Sequence, residues 1–416
     1  DYSVMGDAVN LAARLEAAST RGEIFVGPET YQHAAPLFEF TALEPIRLKG
    51  KAEPVAVFQL LHAKVEPERV RGLAGLVSPM VGRDAEFNAL KALSAATAAG
   101  AGRIAVVVGE PGLGKSRLIA EWKTAVSAAS NWYVGQCLSY GQGLAYHLLI
   151  DLLRSIIDAP AAAEEAETHA ALYHLTQTLF GDKMLDVYPY LGHLLSLRLE
   201  SEAEERVKKL DPQALQAHYL AALQTLLQTL AAKRPLTLIF EDIHWADPSS
   251  TALISKLMTL VMEEPILFCF VTRPEPDTPG WALTTTASRQ FGDITTTLNL
   301  HALAEADSHQ LITNLLEIEA LPDNVRQLIL QKAEGNPFFV EEVIRMLIDR
   351  EMIVSENGRW LAQEAIETVE IPNNLQGLLL ARIDRLPDDV KYTLRVASVI
   401  GRQFSVRLLE EVLKGV

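Results

Sequence analysis

The sequence predicts an α/β fold, a parallel sheet with helices on its faces. Three observations carry that expectation. Ile104–Val108, Leu236–Phe240 and Ile266–Val271 are short, wholly apolar runs, the pattern of strands buried on both faces. Segments with helical spacing lie between them, so strand and helix alternate. A glycine-rich segment, Gly109–Ser116, joins the first run to a predicted helix at Lys115–Val126.

In chain order, residues 1–62 read as a small α/β piece. Ala8–Ala18 has helical spacing through Val9, Ala12 and Leu15. Strand-like runs follow at Ile24–Val26, Phe38–Thr41 and Val55–Leu61, separated by Pro and Gly. Residues 63–78, rich in charge and Gly, read as a linker. A second unit is expected over 79–300. Its strands are the three runs above and Trp132–Cys137, with a helix starting near Ser249. Tyr146–Ala232 is mostly helical in pattern, an insertion over 146–232. Past about Leu298 the strand pattern stops, and Ala304–Leu316, Asp323–Lys332 and Phe338–Asp349 read as helices of a segment 301–352. In 353–416, Asn357-Gly358 between strand-like arms signals a hairpin over Ile353–Leu361. Helices are expected at Leu375–Arg385, Asp388–Val399 and the end of the chain.

The 416 residues are too many for one core. A formal net charge of −16 argues against broad nucleic-acid binding, because a phosphate backbone would be repelled. The 2 cysteines, Cys137 and Cys269, make no disulfide framework or metal motif and fit a reducing cytosol. No apolar run approaches the ~20 residues that span a bilayer. The N-terminus carries no signal-peptide pattern and no initiator Met, and reads as the interior of a longer protein. A cytoplasmic setting is the expectation.

Gly109-Glu110-Pro111-Gly112-Leu113-Gly114-Lys115-Ser116 fits G-x-x-x-x-G-K-S/T and sits between a buried strand and a helix, where that mechanism requires it. Its glycines let backbone N–H groups curl around phosphate, and the helix N-terminus adds positive potential. Lys115 would reach the β- and γ-phosphates of ATP, and the Ser116 hydroxyl would ligate Mg²⁺; Arg117 follows at the site's edge. Leu236–Phe240 runs into Glu241-Asp242, carboxylates placed to hold Mg²⁺ and polarise the attacking water. Glu241 stands at the usual metal position and Asp242 is the better candidate for the water, though the two roles can be exchanged. Arg273, at the end of Ile266–Val271, is a candidate γ-phosphate sensor. Five histidines of the helical stretch, His147, His169, His174, His193 and His218, lack the spacing of a metal site and read as structural.

These residues together resemble the STAND class of signal-transduction ATPases, a likeness covering roughly residues 79–416. Its marks are Met80-Val81-Gly82-Arg83, the string EDIHWADPSS at Glu241–Ser250, Thr272-Arg273-Pro274, and GNPFFVEEV at Gly335–Val343. The resemblance implies that Val81, Gly82 and Arg83 line the adenine and that Pro337 packs on it from a helical lid. It also implies that the chain enters a winged-helix domain after about Ile371. The sensing histidine expected late in such a domain has no counterpart here.

Residues 1–62 resemble the C-terminal half of a class III adenylate/guanylate cyclase domain, a ferredoxin-like α+β fold. The strings YSVMGDAVNLAARLE (Tyr2–Glu16) and RLKGKAEPVAVFQL (Arg47–Leu60) carry the likeness. Asn10 and Arg14, i and i+4 on one helix, share a face. The resemblance makes them the transition-state-stabilising pair, Lys49 a phosphate-binding lysine, and Ser3 the occupant of the purine-reading position. The two metal-binding aspartates of the family belong to the first half of the domain. The expected protein is thus a cytosolic switch that binds and hydrolyses ATP and governs a cyclase, acting with an unidentified effector and protein partner. Cyclase dimers or other oligomers are expected in the full-length protein. A non-catalytic nucleotide-binding scaffold and a transcriptional regulator are the alternatives.

Overall fold

The computed structural model describes residues 7–19, 23–35, 38–46, 55–63, 78–138, 143–160, 163–316, 322–356, 359–363, 371–372, 375–383, 386, 388–400 and 406–414. The expected linker, Ser3, Lys49 and the Asn357-Gly358 turn fall outside these, apart from Ala63 and Ser78 at the linker's ends. The chain divides into two compact units. One takes Asp1–Pro79, Gln310–Arg326 and Val343–Val369; the other takes Met80–His309, Gln327–Glu342 and Glu370–Val416.

In chain order the first elements are α1 (Asp7–Ala18), β1 (Ile24–Val26), α2 (Pro28–Ala34), β2 (Phe38–Ile46) and β3 (Val55–Ala63). The strands form an antiparallel sheet of order β1-β3-β2. Tyr31 of α2 stacks on Phe58 of β3 at 3.8 Å and meets Phe40 of β2 edge-on at 5.3 Å. β2 and β3 outrun the expected Phe38–Thr41 and Val55–Leu61. β2 carries irregularities after Glu39 and Leu43, and Pro45, which cannot donate to a ladder, sits in the second of them.

Next come α3 (Asp84–Ala98), β4 (Arg103–Gly109), α4 (Lys115–Val126), β5 (Asn131–Gln136), α5 (His147–Ile156), α6 (Glu165–Phe180), α7 (Tyr188–Leu194), α8 (Ser201–Lys208) and α9 (Pro212–Lys233). They are followed by β6 (Leu236–Glu241), α10 (Pro248–Leu257), β7 (Ile266–Thr272), α11 (Pro279–Gln290) and β8 (Thr295–Leu300). Strands β4 to β8 form one five-stranded parallel sheet of order β5-β6-β7-β4-β8. The expected α/β class therefore holds, with one strand more than the sequence reading contained.

Strand alternation sorts the apolar residues between the two faces of this sheet. Ile104, Val106, Leu238, Phe240, Phe268 and Phe270 face a core shared with α5, α7, α9 and α10. Ala105, Val107, Ile239, Leu267, Cys269 and Val271 face the other, with Leu90 and Leu93 of α3 and Leu118, Ile119 and Trp122 of α4. Every position of β6 and β7 is buried. A sheet covered on both faces this way explains the continuous apolar runs of the sequence.

The helical stretch within 146–232 is α5 to α9. Three of its histidines are partners of tyrosines: His169 bonds the Tyr188 hydroxyl, His193 bonds the Tyr219 hydroxyl, and His218 stacks on Tyr190 at 4.4 Å. Burial beside Tyr146 pushes the Tyr219 phenol up to about 12.

The remaining elements are α12 (Glu305–Leu316), α13 (Asp323–Ala333), α14 (Pro337–Asp349), the antiparallel hairpin β9 (Ile353–Glu356) and β10 (Arg359–Ala362), then α15 (Leu375–Ile383), α16 (Asp388–Ile400) and α17 (Val406–Lys414). Among the described residues, no helix is long and apolar enough to cross a membrane.

Candidate functional site

The glycine-rich segment leaves the C-terminal end of β4, and β7 lies between β4 and β6. The ends of these three strands therefore adjoin. Gly112 and Gly114 hold the left-handed conformation, at φ 84° and 86°, which side-chain-bearing residues seldom adopt. Gly114 caps α4, so the turn opens onto the helix N-terminus with Lys115 and Ser116 in its first turn. That combination of curled backbone and helix N-terminus suits a phosphate group.

Lys115 is buried to 9% exposure, and its Nζ donates to the Gly109 carbonyl at 2.6 Å and the Glu110 carbonyl at 3.0 Å. Burial holds its pKa below the ordinary lysine value. The Asp242 carboxylate opposes that shift, the Arg273 guanidinium adds to it, and Glu110 opposes it more weakly. Lys115, at the start of α4, is thus within electrostatic reach of Asp242, which follows β6, and of Arg273, which follows β7.

Glu241 is the last residue of β6 and is buried to 7% exposure. Asp242 follows at φ 56°, a conformation Asp tolerates better than most residues. Its carbonyl accepts from the Trp245 N–H at 2.9 Å, closing a short helical turn over Ile243–Trp245. Gly280, near the start of α11, lies so close to the Ile243 carbonyl that no side chain fits there. Arg273 follows β7 and sits 3.9 Å from Glu275, while the side chain of Thr272 before it is buried.

Asp247 fixes the far end of this turn. It is buried to 2% exposure, and its Oδ1 accepts from the Ser250 N–H and the Tyr146 N–H, each at 2.8 Å. The first bond caps α10; the second ties down Tyr146, which leads into α5 at φ 64°. The thiol of Cys137 is pushed up by burial and by Asp247, Asp242 and Asp151 around it, which makes it a poor nucleophile.

The other expected residues fall as follows. Gly82, at φ 65°, lies against Asp307, whose Oδ2 would be 2.6 Å from a β-carbon there. Arg83 is buried; its guanidinium donates to the Leu113 carbonyl at 3.2 Å and to the His301 carbonyl, and pairs with Glu86 at 3.7 Å. It braces the glycine-rich segment from behind. Arg117 pairs with Glu121 along α4 at 3.0 Å. Pro337 is the first residue of α14, and its neighbours Asn336 and Phe338 both touch the glycine-rich segment. Asn10 and Arg14 both lie on α1. Asp247 and Asn336 lie inside the strings EDIHWADPSS and GNPFFVEEV, where sequence reasoning assigns neither a role. Each precedes a proline, and that signal could have marked both as helix caps.

Residues 79–271 match the AAA ATPase domain, residues 1–62 match the adenylate and guanylate cyclase catalytic domain, and residues 304–360 match a domain of unknown function. The parallel sheet and the glycine-rich segment after its first strand agree with the first match: residues 79–271 resemble an ATPase domain of AAA type, and residues 1–62 resemble part of an adenylate/guanylate cyclase domain. The chain is 27% identical over 420 residues to an uncharacterized protein of Rhizobium meliloti, covering 99% of this chain and 38% of that one. It is 21% identical over 465 residues to adenylate cyclase type 10 of Rattus norvegicus, covering 99% of this chain and 28% of that protein. The chain therefore spans well under half the length of these relatives. Among solved structures, a STAND protein with a tetratricopeptide repeat sensor from Pyrococcus horikoshii aligns over 80% of this chain and 37% of its own, with TM-score 0.40 and 12% identity. The ORC2 protein of Aeropyrum pernix aligns over 80% of both chains, with TM-score 0.42 and 11% identity.

Proposed function

We propose that this chain is the ATP-binding and ATP-hydrolysing switch of a signalling protein, and that its nucleotide state governs a cyclase domain that makes cyclic AMP from ATP. The observation that carries the reading is the glycine-rich turn between β4 and α4, with Gly112 and Gly114 left-handed, set beside the adjoining ends of β6 and β7 that lead into Asp242 and Arg273. The N–H groups of Gly112 to Ser116 and the N-terminus of α4 bind the phosphates, and Lys115 neutralises the charge between the β and γ groups. Ser116, Glu241 and Asp242 supply hard oxygen donors, the set that fits Mg²⁺. That ion, when bound, neutralises charge on the phosphates. Asp242 orients and polarises the attacking water, and Arg273 senses the γ-phosphate. Val81, Gly82 and Pro337 border the adenine. In the cyclase part, the roles are those that the resemblance gives: Asn10 and Arg14, both in the sequence of α1, for the transition state, Lys49 for phosphate and Ser3 for the purine.

Replacing Asp242 by Asn separates binding from chemistry. Asn tolerates the left-handed conformation of this position, so the turn is expected to stand. ATP affinity should stay near the parental value while kcat falls about 10²–10³-fold, the size of losing one electrostatic stabiliser. A variant that hydrolyses ATP at the parental rate would move the role to Glu241.

A further inference from the structure

We propose that Asn336 is a latch: through it, α14 grips the phosphate loop, so that phosphate occupancy is communicated to the helix by the backbone of the loop and not only by the adenine. The inference rests on the reading of Gly109–Ser116 as a phosphate site. It starts from three consecutive carbonyls of that loop, each held by a donor from outside it. The Asn336 side-chain amide donates to the Pro111 carbonyl at 3.1 Å. The Phe338 N–H donates to the Gly112 carbonyl at 3.3 Å. The Arg83 guanidinium donates to the Leu113 carbonyl at 3.2 Å. In a phosphate-binding nest the N–H groups converge on the anion and the carbonyls point away from it. Holding those carbonyls therefore fixes the direction of the N–H groups on the other side of the same peptides.

Asn336 is built for two tasks at once. Its Oδ1 accepts from the Phe338 and Phe339 N–H groups at 3.1 and 3.3 Å, which caps α14, while its Nδ2 reaches the loop. The loop side is fitted to it as well: a β-carbon on Gly112 would lie 2.5 Å from the Asn336 Oδ1. The base from which Asn336 reaches is pinned. Gly335 stands at φ 75° with no room for a side chain against the Leu303 carbonyl, and its own carbonyl accepts from the Leu303 N–H at 2.8 Å. The bond to Pro111, by contrast, is open to solvent. A bond that water can replace is the one that opens and closes. Asn336 is thus a positioning residue for the phosphate loop.

The test is Asn336→Ser in the full chain. Serine caps a helix about as well as asparagine but is too short to reach Pro111. Removing one neutral hydrogen bond is expected to weaken ADP binding roughly 2–10-fold by calorimetry. Coupling is reciprocal, so amide exchange supplies the second reading. In the parent, ADP should slow exchange at residues 337–342; in N336S that protection should be lost. If N336S melts well below the parent, Asn336→Asp replaces it, since Asp also caps but has no amide to donate; the exchange measurement then decides. Parental ADP affinity together with retained ADP-dependent protection at 337–342 overturns the latch. A parent chain that binds no ADP overturns instead the phosphate-site reading beneath it, so the two failures are distinct.

Discussion

At the scale of single residues, Lys115 is under opposing demands. The chain buries an ammonium and sets Arg273 near it, both of which favour losing the proton, while Asp242 favours keeping it. Bound triphosphate would add negative charge and settle the matter in favour of the charged form. Lys115→Ala should weaken ATP binding by more than about tenfold, as expected for lost hydrogen bonds to a charged group, and leave a folded protein. Titration calorimetry on the folded variant checks this, and unchanged affinity would remove Lys115 from the site. The direction of the shift also sets a pH dependence. The native Lys115 releases its proton below the ordinary 10.5, whereas in the unfolded chain it holds the proton to higher pH. ATP affinity should therefore fall as pH rises through the lowered pKa. Over the same window this group's contribution makes the ligand-free protein more stable, because the unfolded state then binds the extra proton.

At the scale of elements, four helices begin with one device. Asp211, Asp247, Thr278 and Asn336 cap α9, α10, α11 and α14, and each is followed by proline at the first helical position. That position needs no N–H, so proline costs nothing there. Periodicity alone puts the start of α10 near Ser249 and that of α14 at Phe338; the structure starts each helix at its proline. Asp247 holds two N–H groups, those of Ser250 and Tyr146. Asp247→Ala should cost about 1–3 kcal/mol in urea unfolding, the sum of a lost cap and an orphaned N–H, while Asp247→Asn should cost little. Equal losses for both variants would show that the carboxylate charge, not its acceptor, matters. The central strands β4, β6 and β7 were legible because burial on both faces makes their sequences uniformly apolar. β8 was not: TTTLNL is, among the described residues, an edge strand paired with β4 and buried at Leu300 alone, and threonine leaves no hydrophobic pattern to read. The strings of the candidate site were legible because each is contiguous. The bond from Asn336 to Pro111 joins residues 225 apart, which no local spacing reveals.

At the scale of the whole molecule, the chain joins a stretch that matches an ATPase domain to one that matches part of a cyclase domain, which under the proposed reading carries the transition-state residues. Class III cyclisation needs metal ions to activate the 3′-hydroxyl, and in the family pattern their carboxylates belong to the other half. The chain as it stands should therefore turn ATP into ADP and form no cyclic AMP. In a protein that also carries the first half, cyclic AMP should appear and Arg14→Ala should nearly abolish it. Chromatography of the products checks both, and cyclic AMP from this chain alone would place the metal ligands within it. The reach of the Asn336–Pro111 bond also has a consequence during synthesis. A ribosome adding about 5–20 residues per second needs roughly 10–45 s between the two partners. For that interval the glycine-rich segment exists without the Asn336 bond, and if that bond is a latch, nucleotide is held roughly 2–10-fold more weakly on this account alone. On the latch reading, full-strength nucleotide capture waits until the polypeptide has been made at least as far as Phe338.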